Sequence, residues 1–196
     1  SEVVTSREAL FERIKCEPPR RWGVMMNPIA GLAEFETLDA LALTDAPETY
    51  DEVDGFLLIG SDGWSEHRQS LLEATLTRTS RPVFVGNPDL VAPREAGLSL
   101  EPGWFAHQLA NRTGIAPVFL GKPFPEIFDL AMARFGGSIP PGRVLMVGDT
   151  LHTDILGGAQ AGFATALVTA HGSLAGLGVA EAITTSKIAP DFVVET

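Results

Sequence analysis

The chain has 196 residues, enough for one full α/β domain or for two modest lobes. With 45% apolar and 20% charged residues its composition is that of a globular protein, and no apolar run approaches the ~18–20 residues of a membrane span. A formal charge of −11 argues against nonspecific binding to nucleic acid or anionic membranes, and the single cysteine, Cys16, excludes an internal disulfide and a multi-cysteine zinc site.

One cysteine suits a reducing compartment, and no basic segment leads into an apolar one as in a secretory signal, so the expected location is cytoplasmic. The chain opens Ser1-Glu2-Val3 without an initiator Met, which raises the expectation of an upstream piece.

In chain order, Thr5-Ser6-Arg7-Glu8 fits a capping box opening a helix with Leu10, Phe11 and Ile14 on one face. Pro18-Pro19 breaks it, and Trp22–Met26 reads as a strand. A short helix is expected around Leu32–Leu43, and Phe56–Ile59 is a buried strand followed by the turn residues Gly60–Gly63. Ser65 to about Thr77 is helical, and Pro82–Val85 is a strand ending at Gly86-Asn87-Pro88-Asp89. Trp104–Arg112 is a helix stopped by Gly114, with Trp104 and Phe105 expected in a core or lobe interface. Val118–Leu120 is a strand ending at Gly121-Lys122-Pro123, and the next helix carries Ile127, Phe128 and Phe135 and closes at Gly136-Gly137. Arg143–Val147 is a strand ending at Gly148-Asp149, followed by a helix from near Thr153 to Gly162 and strands at Ala164–Val168 and Phe192–Val194. Alternating strands and helices joined by short Gly-rich turns predict an α/β fold with a largely parallel sheet, whose chemistry collects at the carboxyl ends of its strands.

Ten acidic residues and no Lys or Arg lie between Glu34 and Glu66. This run is read as a solvated face, since no D-x-[DN]-x-[DN]-G calcium loop occurs in it. His67, His107, His152 and His171 have no mutual spacing that suggests a metal site, and Cys16 is expected to be an inert, partly buried thiol.

Two strand ends carry the candidate chemistry. Only three lysines occur against eleven arginines, and Lys122 sits directly after an apolar strand, between Gly121 and Pro123. Asp149 stands at the next strand tip and Asp154 at the mouth of the following helix. A carboxylate is an oxygen ligand that suits Mg²⁺, which takes one or two protein carboxylates plus phosphate and water, so Asp149 is a candidate metal ligand. Asp154 would hold a metal-bound water or orient the lysine, and Lys122 would place a fixed ammonium against phosphate oxygens.

In their order, Gly121-Lys122-Pro123 and Gly148-Asp149-x4-Asp154 resemble the third and fourth motifs of the haloacid dehalogenase (HAD) superfamily. The wider runs Gly121–Glu126 and Met146–Ile155 look like its class IIA, with 4-nitrophenylphosphatase-like and pyridoxal-phosphate-phosphatase-like members. Asn87-Pro88-Asp89-x3-Pro93 and Glu101-Pro102-Gly103 resemble the late part of the class IIA cap, Asp54–Gly60 one of its strands, and Thr5-Ser6 the segment before it. The resemblance implies a HAD-like Rossmannoid three-layer core, present in its C-terminal half, with a large α/β cap of the C2 type. It apportions 1–17 to the end of the N-terminal core half and hinge, 18–116 to the cap and 117–196 to the C-terminal core half. It further implies a Mg²⁺-dependent phosphatase acting on a small phosphorylated metabolite, with Lys122, Asp149 and Asp154 catalytic, Asp149 and Asp154 at the metal, and Lys122 and Asn87 at the substrate. Pairing of two copies through the cap is also implied.

One departure stands out. Family members attack phosphorus with the first Asp of a D-x-D motif after an apolar strand, to make an aspartyl-phosphate, and no D-x-D occurs in these 196 residues. Glu52-Val53-Asp54 only approximates it, since its apolar strand follows rather than precedes. The expectation is therefore a longer native protein whose upstream half, at least a βαβ unit of ~30 residues, carries the nucleophile, this chain alone being inactive. The alternatives are a catalytically inactive protein that binds a phosphorylated ligand, and a phosphomutase of the same superfamily.

Overall fold

The computed structural model describes residues 3–27, 32, 35–94, 97–136, 138–170 and 172–195. Gly137 and His171 lie outside the described residues, as does part of the 32–43 segment. Two compact units divide the chain, Ser6–Leu120 and Ser1–Thr5 with Gly121–Thr196. Ser6–Lys15 and Val118–Phe119 therefore go with the larger unit, where the sequence had apportioned them to 1–17 and 117–196.

The larger unit holds a five-stranded sheet in the order β2-β1-β3-β4-β7, with β1 at Trp22–Met25, β2 at Ala40–Ala42, β3 at Gly55–Leu58, β4 at Val83–Val85 and β7 at Val118–Phe119. Every pairing in it is parallel. Parallel register aligns Val24, Leu57, Phe84 and Val118 in one row and Met25, Leu58, Val85 and Phe119 in the next. Successive strand residues point to opposite faces. The first row packs with Leu10 and Ile14 of α1, Ser6–Lys15, and the second with Leu72 and Leu76 of α3, Glu66–Arg78, and Leu109 of α4, Pro102–Thr113. Helices on both faces explain why β1, β3 and β4 read as continuous apolar runs rather than alternating ones.

Helix α3, Glu66–Arg78, starts at Ser65, whose hydroxyl accepts from the Arg68 N–H at 3.2 Å. Helix α4, Pro102–Thr113, ends at Gly114 in the left-handed conformation, φ 74°, which a residue with a Cβ resists. Phe105 is buried in the core as expected, whereas its neighbour Trp104 is 43% exposed. Cys16 is exposed rather than partly buried, because α1 turns its Leu10 and Ile14 inward and places Cys16 past its end.

The helix expected around Leu32–Leu43 is not formed over its second half. Ala40–Ala42 is instead the edge strand β2, and pairing with Trp22–Val24 of β1 outweighs a local preference that is weak for so short a segment. Three further elements were not anticipated: the short helix α2, Glu48–Asp51, the antiparallel hairpin of β5, Val91–Arg94, and β6, Gly97–Leu100, and the late helix α7, Val179–Ser186.

The smaller unit has a three-stranded parallel sheet in the order β10-β9-β8, with β8 at Leu145–Gly148, β9 at Ala164–Val168 and β10 at Phe192–Val194. Leu151, Ile155 and Leu167 form its buried centre, with Val179 and Ile183 of α7 against them. Helix α5, Pro125–Arg134, is joined to the next layer by Phe128, whose ring meets Phe163 edge-on at 5.9 Å. Asp191 ties β9 to the segment before β10, accepting from the Thr165 N–H at 2.8 Å and the Thr165 hydroxyl at 3.1 Å.

Candidate active site

Lys122, Asp149 and Asp154 all lie in the smaller unit. Lys122 stands in a tight turn between β7 and α5, closed by the Phe124 N–H donating to the Gly121 carbonyl at 2.8 Å. Asp149 follows β8 directly. Asp154 lies in a single π-helical turn, Leu151–Ile155, that precedes α6, Leu156–Gln160, with the Leu156 N–H donating to the Leu151 carbonyl. Such wide turns widen a helix mouth and recur at functional sites.

The lysine and the second aspartate meet. Lys122 Nζ lies 2.5 Å from Asp154 Oδ1, and Asp154 Oδ2 accepts from the Thr150 N–H at 3.2 Å. The Asp154 side chain is 4% exposed while that of Lys122 is 44% exposed, so the carboxylate forms the floor and the ammonium reaches upward to solvent. A buried carboxylate held this way fixes the place of the cation. Of the two roles the sequence allowed for Asp154, orienting the lysine has its contact in this geometry.

Asp149 sits beside this pair. The Thr150 hydroxyl donates to Asp149 Oδ1 at 3.3 Å, so Thr150 touches Asp149 through its side chain and Asp154 through its backbone. Two glycines make room for the carboxylates. A Cβ on Gly148 would fall 2.2 Å from Asp154 Cγ, and one on Gly172, itself at φ 82°, would fall 1.6 Å from Asp149 Oδ2. Sequence reasoning passed over Thr150 and Gly172. For Gly172 the available signal was its place just after the apolar run Ala164–Val168, a third strand end beside the other two.

The donor set is hard oxygen, which fits Mg²⁺ rather than a softer metal. The Lys122 ammonium pairs with Asp154, and Asp149 is a second carboxylate oxygen donor beside that pair. Among the described residues no three His, Cys, Asp or Glu side chains converge into a metal cage, and one or two carboxylates suffice only where phosphate and water complete the shell.

The other candidates lie apart from these three in their contacts. Asn87 belongs to the larger unit, donating to Glu101 Oε2 at 3.3 Å and accepting from the Asp89 N–H at 3.1 Å. His152 is exposed on the π turn. The near-motif residue Asp54 accepts from the Arg21 N–H at 2.9 Å and so links two strand starts. In the acidic run, Asp45 is engaged by Arg68 and Asp51 by Arg78, while Glu52 and Glu66 are exposed.

Residues 119–196 match a family model described as HAD-hydrolase-like. The chain is 33% identical over 165 residues to the acid sugar phosphatase of Staphylococcus aureus, covering 84% of this chain and 60% of that protein. It thus spans about three fifths of the length of the curated relatives it matches. Among solved structures, 4-nitrophenylphosphatase from Thermotoga maritima superposes with a TM-score of 0.75 at 26% identity, over 99% of this chain and 69% of that one. A protein of Cytophaga hutchinsonii described as a "possible sugar phosphatase" of the HAD superfamily gives 0.79 at 25% identity, over 98% and 70%.

Proposed function

Because the chain belongs to the HAD-like hydrolases, we propose that the whole protein is a Mg²⁺-dependent phosphatase of small phosphorylated metabolites. The names of its relatives favour a sugar phosphate as substrate. The observation that carries the reading is the 2.5 Å contact of Lys122 with a buried Asp154, beside Asp149 at the next strand end. An ammonium held by a buried carboxylate is preorganised to meet the charge that develops on phosphoryl oxygens. Asp149 would hold Mg²⁺, which when bound supplies further neutralisation at those oxygens. Asn87 is assigned a contact with the organic part of the substrate.

In this reading the larger unit is the cap and the smaller one the C-terminal half of the core. The attacking carboxylate, which would form an aspartyl-phosphate that water then hydrolyses, is assigned to residues outside these 196, since they hold no D-x-D. A cytoplasmic location and pairing of two copies through the cap belong to the same proposal. Among the described residues no helix is long and apolar enough to cross a membrane.

The missing D-x-D also favours a second reading, a HAD-like protein that binds a phosphorylated ligand without turning it over. Incubating these 196 residues with 4-nitrophenyl phosphate and Mg²⁺ is expected to release no nitrophenol above background, and the whole protein is expected to release it. Release by the 196 residues that vanishes in Asp149→Ala would mean that they contain the nucleophile. A silent whole protein that still binds phosphate would favour the second reading.

A further inference from the structure

We infer that Gly157 is a positioning residue for Lys122: the absent side chain at 157 sets how closely the Lys122-Pro123 turn approaches the segment that carries Asp154. The effect on turnover rests on the phosphatase reading above, whereas the effect on the lysine stands without it. Lys122 and Asp154 lie on two separate segments joined by a 2.5 Å contact between side chains. Such a pair keeps its geometry only where the backbone behind each partner is held at the matching distance.

That distance is fixed about one turn beyond Asp154. Gly157 lies three residues further on, in α6, and residues three apart along a helix are neighbours on one face. As Asp154 meets Lys122, so Gly157 meets Pro123 and Phe128. A Cβ at 157 would fall 2.5 Å from Phe128 Cε2 and 3.0 Å from Pro123 Cα. Both obstacles belong to the lysine's own segment, since Pro123 is bonded to Lys122 and Phe128 stands on α5, which that turn opens. The Phe128 ring is buried and braced from another side by Phe163, edge-on at 5.9 Å, so it has little room to yield. A methyl group at 157 therefore pushes the lysine's turn away from Asp154.

The adjoining Gly158 faces the other way. Its Cβ would meet Met146 Cβ at 2.7 Å and Thr165 Cγ2 at 3.2 Å, on β8 and β9. Two glycines in the five-residue helix Leu156–Gln160 run against local preference, each costing about 1 kcal/mol relative to alanine, so close packing rather than helix formation accounts for them. Both are buried, one against the lysine's segment and the other against the sheet. Only the first bears on Lys122, and the second supplies a matched control.

Because the chain has only three lysines, brief labelling of the 196 residues with acetic anhydride, read site by site by mass spectrometry, tests the role with Lys187 as internal reference. In Gly157→Ala, Lys122 is expected to label about tenfold or more faster relative to Lys187, approaching Asp154→Asn, because a charged hydrogen bond no longer occupies its ammonium. Gly158→Ala is expected to lower the thermal midpoint as well, yet to leave that ratio native. Adding Phe128→Leu to Gly157→Ala removes the ring that the methyl strikes and is expected to bring the ratio part of the way back. Should Gly157→Ala alone not fold, the double variant is compared with Phe128→Leu, and Lys122 is still expected to label faster in the double. In the whole protein Gly157→Ala is expected to lower kcat with Mg²⁺ affinity unchanged. Native labelling of Lys122 in these variants, an equal rise in Gly158→Ala, or no return in the double variant would each overturn the positioning role. Faster labelling in a whole protein without turnover would support that role and count against the phosphatase reading alone.

Discussion

Thr150 is the residue on which two carboxylates converge, and its two contacts can be separated by substitution. Thr150→Val keeps the backbone N–H that Asp154 accepts and removes the hydroxyl that Asp149 accepts. One hydrogen bond of this kind is worth about three- to tenfold, so Mg²⁺ affinity in the whole protein is expected to fall by that much, and Thr150→Ser to restore it. Gly172→Ala is the harsher change, since its methyl group would occupy the place of Asp149 Oδ2. Displacing a reacting group by about 1 Å can cost ~10²-fold in rate, and a loss of that order with little change in thermal midpoint is expected. Native Mg²⁺ affinity in Gly172→Ala would show that Asp149 is not held where the smaller unit holds it.

At the same scale, Asp45 offers a pH test in the larger unit. The Arg68 guanidinium hydrogen-bonded to Asp45, at 2.9 Å from each oxygen, holds its carboxyl below the ordinary carboxylate value, against a smaller opposing effect of burial. A carboxyl with a depressed folded-state pKa stabilises the fold above its unfolded value, and that share is lost as pH falls through the folded value. Asp45 is open to solvent, so the effect is small and salt-sensitive. Thermal midpoints of the protein and of Asp45→Asn are expected to differ at neutral pH and to converge as acid protonates Asp45. A constant gap across that range would assign the difference to something other than this charge.

Among the elements, those whose signal is local were legible in advance. Helix α3 was bounded by its Ser65 cap and α4 by Gly114, and both lie within a residue or two of expectation. Ser65→Ala is expected to cost about 1 kcal/mol in denaturant unfolding, because the Arg68 N–H loses its acceptor, whereas Ser65→Asp should retain most of it. Equal stability of the alanine and aspartate variants would mean that the cap contributes nothing. Elements whose signal is tertiary were not legible. Ala40-Leu41-Ala42 becomes a strand only because β1 has an open edge, and the β5–β6 hairpin follows Asn87-Pro88-Asp89 with no two-residue turn signature to announce it. The wide turn at Leu151–Ile155 was read as the start of a regular helix, since nothing in five residues distinguishes the two.

Across the whole molecule, the three charged residues at strand ends could be found because their order along the chain is specific, while their supports could not. Gly172 lies 23 positions beyond Asp149, and no local pattern links the two. Most of the charge of −11 lies in the larger unit, where part of the acidic run is paired with Arg21, Arg68 and Arg78. The central claim is that Lys122 and Asp149 serve one phosphoryl-transfer site in different ways, the first by a fixed charge and the second through a metal. Turnover of a phosphate monoester by the whole protein, measured against Mg²⁺ concentration in Lys122→Ala and Asp149→Ala, tests it most directly. Both variants are expected to lose activity, Lys122→Ala by about 10²–10³-fold, equivalent to about 2.7–4 kcal/mol. Excess Mg²⁺ should recover part of the rate in Asp149→Ala and none in Lys122→Ala, because added metal restores occupancy but not the ammonium. Equal recovery of both variants, or near-native turnover in Lys122→Ala, would contradict the assignment.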